Sequence, residues 1–263
     1  TEAYDQAIEM FKKSLQNVKL PELSYVTRYW IAESYALNQA PRESIPYYQE
    51  VIKAFGNQDK YALLASYGLG YAYYNQRSYA TALPYFRRCV NFWQLRTSSE
   101  AESIPYSDAV VRLADCYYAQ KEYPTALRYY NEIIAQKYPE QDYAYYQQGM
   151  IWITQGKYAQ AKQNFDLITK NYAGSRYYDQ ALYEKAVIDL ENGNNSVAIA
   201  EFSNLMKERP RSLLKPDALL KRALAYQNIQ NKNEAIKDYK TILKEHPTHS
   251  SAPSALLSLQ ELL

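Results

Sequence analysis

The stretch from Ala198 to Leu257 contains itself twice. Ala198, Phe202, Leu205 and Pro210 recur 37 residues later as Ala235, Tyr239, Ile242 and Pro247. Ser212 and the run Pro216-Asp217-Ala218-Leu219-Leu220 recur as Ser250 and Pro253-Ser254-Ala255-Leu256-Leu257. Few features constrain a chain more. A unit of this length cannot bury its apolar face alone, so it must stack on copies of itself into a solenoid. Such an array presents an extended surface. It is suited to holding another molecule rather than to enclosing a reaction.

The repeat has a phase that runs through the whole chain. A small residue is followed at +4 by an aromatic and at +7 by an aliphatic or small residue, all on one helical face. The triads are Ala7/Phe11/Ser14, Ser44/Tyr48/Val51, Ala82/Phe86/Cys89, Ala126/Tyr130/Ile133, Ala161/Phe165/Ile168, Ala198/Phe202/Leu205 and Ala235/Tyr239/Ile242. Successive triads are 37, 38, 44, 35, 37 and 37 residues apart. The long step predicts a polar surface insertion, RTSSEAES, between Leu95 and Ile104.

Each of the last six triads is preceded by a first helix. Twelve residues before the triad sits Ala32, Gly70, Ala114, Gly149, Ala186 or Ala223, small enough for close helix approach. Nine residues before it sits Tyr35, Tyr73, Tyr117, Trp152, Asp189 or Tyr226. Asp189 breaks an otherwise aromatic series. Short polar turns join the two helices, with Gly or Asn as the expected stop. Ser78, Asn195 and Asn233 are the expected N-caps of second helices. Pro139, Pro210 and Pro247 end them. The units this predicts are 1–21, 22–58, 59–97, 104–139, 140–174, 175–211 and 212–248, with a capping helix over 250–263, all in one solenoid.

Composition agrees with helix. Glycine is scarce, at 7 of 263 residues, and apolar residues make up 47%. Net charge is +2 and no Lys/Arg block of five occurs, which disfavours nucleic acid and anionic membrane as partners. No apolar run approaches the ~18 residues of a membrane span. Tyrosine is the outlier, with 30 copies against 6 Phe and 3 Trp. Cys89 and Cys116 are either two small buried apolar residues or a single disulfide between neighbouring helices.

Gly70, Tyr73, Ala82 and Phe86, and again Ala223, Tyr226, Ala235, Tyr239 and Pro247, carry the signature of the tetratricopeptide repeat. The chain resembles that family over essentially its whole length. The resemblance implies an all-α superhelix of about six helix pairs plus a leading helix. The period departs from the family's usual 34. Together with the element around Pro210, Ser212, Pro216, Asp217 and Ala218, it is similar to longer-period bacterial envelope members. These include the Tol-Pal-associated repeat protein and the outer-membrane assembly lipoprotein. That similarity implies a periplasmic or outer-membrane-associated protein, with the cytoplasm as the alternative.

In a solenoid of this kind the first helices line the concave face. The groove positions are three residues before and one after each small marker. They are Tyr29/Glu33, Tyr67/Tyr71, Val111/Asp115, Tyr146/Met150, Tyr183/Val187 and Leu220/Leu224. Tyrosine offers a broad apolar face and a hydroxyl at low entropic cost. One reading is a tyrosine-lined groove for an extended or helical peptide. The other is that these tyrosines close gaps between neighbouring first helices. The family's co-chaperones grip a C-terminal carboxylate with Lys, Asn and Arg. Here the equivalent positions hold Tyr29, Glu33, Gly68, Asp108 and Arg112, and only Arg112 keeps a suitable charge, so no such clamp is expected.

No catalytic constellation is found. The nucleotide-loop, dinucleotide and nucleophile-elbow motifs are missing. His246 and His249 flank helix-breaking Pro247, which leaves them as exposed loop residues rather than a metal pair. The expected function is a non-enzymatic scaffold that binds a peptide or protein, without cofactor, metal or nucleic acid. The alternative is a repeat module that positions another domain of a longer polypeptide. The cluster Leu256, Leu257, Leu259, Leu262 and Leu263 either covers the last helix pair or meets further chain, and self-association through that end is a third expectation.

Overall fold

The computed structural model describes residues 2–55, 59–94 and 106–263. Among them every regular element is a helix. In chain order these are α1 (Glu2–Asn17), α2 (Pro21–Leu37), α3 (Pro41–Phe55), α4 (Lys60–Asn75), α5 (Tyr79–Gln94), α6 (Tyr106–Ala119), α7 (Tyr123–Ala135), α8 (Gln141–Thr154), α9 (Tyr158–Asn171), α10 (Tyr178–Glu191), α11 (Asn195–Glu208), α12 (Lys215–Asn228), α13 (Lys232–Glu245) and α14 (Ala252–Leu262). This is an all-α solenoid in which helices adjacent in sequence pack on one another within each compact unit, α1 to α7 in one and α9 to α14 in the other. The expected insertion RTSSEAES lies outside the described residues.

The chain divides into two compact units, Thr1–Gln141 and Asp142–Leu263. In the first, α1 to α7 pack in sequence order and α2 also touches α4. In the second, α9 to α14 pack in order and α10 also touches α12. First helices therefore lie beside first helices, as stacking of hairpins requires.

Six of the seven sequence triads are fully buried, from Ser44/Tyr48/Val51 to Ala235/Tyr239/Ile242. The first is looser, with Ala7 and Phe11 half-buried and Ser14 exposed. The small markers explain how the aromatics fit. A Cβ built on Gly149 would stand 2.5 Å from the Phe165 ring, and one on Gly70 would stand 3.0 Å from the Phe86 ring. Each phenyl thus lies directly on its neighbour's backbone.

One turn closes every hairpin. The residue two before the second helix donates its N–H to the carbonyl three before it, and the next residue reaches back five. Gln39 N bonds Ala36 O at 3.2 Å while Ala40 N bonds Tyr35 O at 2.9 Å; Lys121 N bonds Tyr118 O and Glu122 N bonds Tyr117 O, both at 2.9 Å. The same pair recurs after α4, α8, α10 and α12. It is the two-bond arrangement that ends helices through a left-handed residue. Those residues are Gln39, Arg77, Lys121, Gly156, Gly193 and Gln230. The expected Gly or Asn stop thus holds at this position only in Gly156 and Gly193.

Caps also depart from expectation. Asn195 is the first residue of α11, and Asn194 holds the N-cap position without a side-chain bond to the helix's own N–H groups. Asn231, not Asn233, caps α13, its side chain accepting the Glu234 N–H at 3.4 Å. Cys89 and Cys116 are buried and free, so the disulfide alternative falls. Burial pushes both thiols up to about 12. His246 and His249 are half-buried rather than exposed, and His249 Nδ1 accepts the Ser251 N–H at 3.2 Å. On α14, Ala252, Ala255 and Leu259 are buried against the last hairpin while Leu256 and Leu257 stay exposed.

Asp189 has a physical account. In the first unit the residue in its place stacks on the residue twelve further on: Tyr35 on Tyr47, Tyr73 on Tyr85 and Tyr117 on Tyr129, with centroids 5.8, 5.9 and 5.8 Å apart. In the second unit that partner position is polar, as Asn164, Glu201 and Asp238. Asp189 is buried against Glu201. Lys162 reaches over from α9 to donate to Asp189 and stands 3.8 Å from Glu201, and Asn194 donates to Asp189 at 3.2 Å. Arg222 likewise meets Asp238 with two bonds of 2.8 and 2.7 Å.

Candidate functional site

The predicted groove residues of the first unit lie on α2, α4 and α6. Tyr29 is buried, and its ring meets Tyr61 edge-on at 5.6 Å. Glu33, half-buried one turn along, accepts the Tyr48 hydroxyl at 2.6 Å. Burial raises its carboxyl, against the opposing pull of the Tyr48 and Tyr29 hydroxyls. No cation among the described residues pairs with it.

Tyr67, Tyr71 and Tyr74 share one face of α4 at i, i+4 and i+7. They meet Asp108, Arg112 and Asp115, which share one face of α6 at the same spacing. Tyr67 donates to Asp108 at 2.6 Å, and Tyr71 donates to the same oxygen. Tyr74 donates to Asp115 at 2.7 Å, whose other oxygen accepts Tyr130 at 2.7 Å. Arg112 sits between, 2.7 Å from Asp115 and 3.3 Å from Asp108, and donates to Tyr71 and Tyr74 at 3.1 Å each. Burial opposes its charge, but Asp115, Tyr71 and Asp108 outweigh that and hold the guanidinium above its ordinary value. Tyr67 and Tyr71 are raised, first by burial and then by Asp108, so both stay protonated donors. Hydrogen bonds to charged groups contribute about 1.5–3 kcal/mol each where buried. The network is thus a strong tie between two first helices.

A pocket of about 420 Å³ opens beside this network, between α2, α3 and α4. Its lining includes Glu33, Ala36, Tyr48, Tyr67, Gly68 and Tyr71. Tyr67 and Tyr71 therefore have two roles. Their hydroxyls bind α6 while their rings line an open recess.

In the second unit Tyr146 stacks on Tyr177 at 5.1 Å and touches Phe165 at 5.9 Å. Met150 packs against the Phe165 cluster. Tyr183 lies 5.8 Å from Phe202, and burial raises its hydroxyl. Val111 and Asp115 of the first unit are buried, whereas Leu224 is exposed. Sequence reasoning missed Asp108, Tyr74 and Tyr48. The matched i, i+4, i+7 sets on α4 and α6 were the available signal for the first two.

No group of three His, Cys, Asp or Glu among the described residues could hold a metal ion, and no described helix is long and apolar enough to cross a membrane. Hairpins stacked in register, with ties between successive first helices, define a helix-pair repeat scaffold. Profiles of the tetratricopeptide repeat match residues 31–96, 108–140, 143–175 and 217–249, together more than half of the chain. The chain belongs to the tetratricopeptide-repeat family. It is a protein–protein interaction scaffold of that fold, which is typical of non-catalytic proteins.

A search of curated proteins finds no match. Solved structures match in fold. The C-terminal part of a tetratricopeptide-repeat protein from Cytophaga hutchinsonii is 17% identical with a TM-score of 0.73, covering 97% of this chain and 95% of that one. PilW, described as a widely conserved type IV pilus biogenesis factor, is 15% identical with a TM-score of 0.63, covering 88% and 98%. YrrB, described as having an unusual peptide-binding site, is 18% identical with a TM-score of 0.58, covering 80% and 98%.

Proposed function

We propose that the chain holds an extended segment of a partner protein against the tyrosine-bearing face of its first helices. The observation that carries this is the open recess lined by the rings of Tyr67 and Tyr71 while their hydroxyls are fixed on Asp108. Rigid aromatic faces with their polar ends already satisfied suit peptide capture, because little side-chain entropy is lost on binding. The peptide-binding description of YrrB agrees with this reading. Tyr29, Glu33, Arg112 and Asp115 are the further residues we assign to this face in the first unit, and Tyr146, Met150 and Tyr183 those we assign to the corresponding face of the second. We also propose the seven-unit division with its capping helix, and a place in a bacterial envelope process. The longer repeat period and the likeness to the pilus biogenesis factor support the envelope assignment.

The test selects peptides from a displayed random library and measures the best against variants. Tyr67→Phe keeps the ring and loses the tie; Tyr67→Ala loses both. The proposal expects Tyr67→Phe to lower stability while retaining affinity, and Tyr67→Ala to lose affinity. Equal affinity in wild type, Tyr67→Ala and Tyr146→Ala would sink it. A second reading, that the array positions another domain of a longer polypeptide, is favoured by the Cytophaga structure being itself a part of its protein.

A further inference from the structure

We propose that the recess beside Glu33 is a subsite for an arginine side chain of the bound segment. The inference rests on the groove reading and goes further, because it names the chemistry that one position of the partner must carry.

The charge balance comes first. Glu33 stands half-buried at the recess with two tyrosine hydroxyls and no cation among the described residues. The neighbouring network adds two carboxylates, Asp108 and Asp115, to one guanidinium, Arg112. The face therefore has an excess of negative charge, and at Glu33 it is not locally balanced. A carboxylate withdrawn from water without a counter-ion is a costly arrangement. Its raised carboxyl records that cost, and a bound cation would remove it.

Geometry then favours arginine. A carboxylate has roughly four acceptor positions, and the Tyr48 hydroxyl takes one of them at 2.6 Å. The remainder match the two-pronged donor edge of a guanidinium. Tyr67 and Tyr71 line the recess beside Glu33, and a planar guanidinium makes more contact with aromatic rings than a compact, strongly hydrated ammonium does. Ala36 and Gly68 keep the recess open. At Gly68 a Cβ would come within 2.5 Å of the Tyr48 hydroxyl, so this residue also lets Tyr48 reach Glu33.

The experiment titrates the protein with acetyl-Gly-Ser-Arg-Ser-Gly-amide and with the same peptide carrying citrulline, which has the same shape without the charge. Ligand-observed saturation-transfer NMR reads both. The arginine peptide is expected to bind about tenfold more tightly or better, the worth of one charge-assisted bond. Glu33→Gln should remove that preference, and Ala36→Phe, which fills the recess and leaves Glu33 in place, should remove binding of the arginine peptide. Circular dichroism establishes that both variants are folded, and either one suffices for the test. Equal binding of arginine and citrulline peptides, a preference that survives Glu33→Gln, or no binding of the arginine peptide overturns the subsite. A lysine peptide binding as tightly as arginine overturns the choice of arginine. If library-selected peptides lose affinity in Tyr67→Ala but carry no basic residue, the groove stands and the arginine subsite alone falls.

Discussion

Six hairpin turns share one backbone path, yet glycine fills the left-handed position in only two of them. That asymmetry predicts a stability series. A residue with a Cβ held in the left-handed region costs about 1–2 kcal/mol. Glycine relieves this but enlarges the unfolded ensemble by about 0.4–1 kcal/mol. Arg77→Gly, Lys121→Gly and Gln230→Gly should therefore each stabilise by about 0.5–1 kcal/mol. Arg77, Lys121 and Gln230 are all exposed, so little packing is lost. The reciprocal changes, Gly156→Ala and Gly193→Ala, should each destabilise by about 1 kcal/mol. Both positions have open space around the added Cβ, which leaves conformation as the only penalty. The sites sit in separate turns and should add, giving about 2 kcal/mol for the triple variant. The assay is urea unfolding, with amide exchange assigning the gain to the substituted hairpin. A lower midpoint for Lys121→Gly, with unchanged denaturant slope, would refute the argument.

Other substitutions probe the interior. Gly149→Ala should destabilise by about 1–3 kcal/mol despite its better helix propensity, because the methyl collides with Phe165. Gly70→Ala, with its longer 3.0 Å approach, should be milder, and thermal melts of the two compare them directly. Burial raises Glu201 to about 7, outweighing Lys162, while the Lys162 and Asn194 hydrogen bonds prevail over burial and lower Asp189. The folded state then holds a proton on Glu201 that the unfolded chain has released. Stability should fall as pH rises from about 4.5 through 7 and level off above, by about 1–2 kcal/mol once the roughly 3 kcal/mol of the full shift is discounted for solvent screening of this partly exposed group, and Glu201→Gln should flatten that slope in denaturant titrations across pH. Cys89 and Cys116, buried with thiols raised to about 12, should resist a thiol reagent at pH 8 in the folded chain and react promptly in denaturant.

The helices and their buried faces were readable because both depend on spacing within one helix. Ala82, Phe86 and Cys89 point one way whatever lies opposite. Turn positions were readable too, but not the residue that takes the left-handed conformation, since the hairpin's two hydrogen bonds impose it on Arg77 and Lys121 as well as on glycine. Asp189 looked anomalous because its partners Lys162 and Glu201 come from two other helices. The tie between α4 and α6 was hidden for the same reason, as Tyr67 and Asp108 lie 41 residues apart. Aligning the repeats places them side by side, but spacing alone does not tell a tyrosine that ties helices from one that faces a recess. Here Tyr67 does both.

The uniform turn also bears on how such a chain can be rebuilt. In each hairpin the carbonyl that closes the turn belongs to Tyr35, Tyr73, Tyr117, Trp152, Asp189 or Tyr226, the residue whose side chain reaches toward the second helix. Chain direction and lateral contact are thus fixed at one amino acid. That residue lies two positions before the end of its first helix, so the joint between the two helices belongs after the turn, where the second helix begins. Within a unit these turns are natural joints for recombination: a second helix can be transplanted from one hairpin to the next provided the residue twelve positions on travels as a matched partner, tyrosine with tyrosine and acid with its basic neighbour.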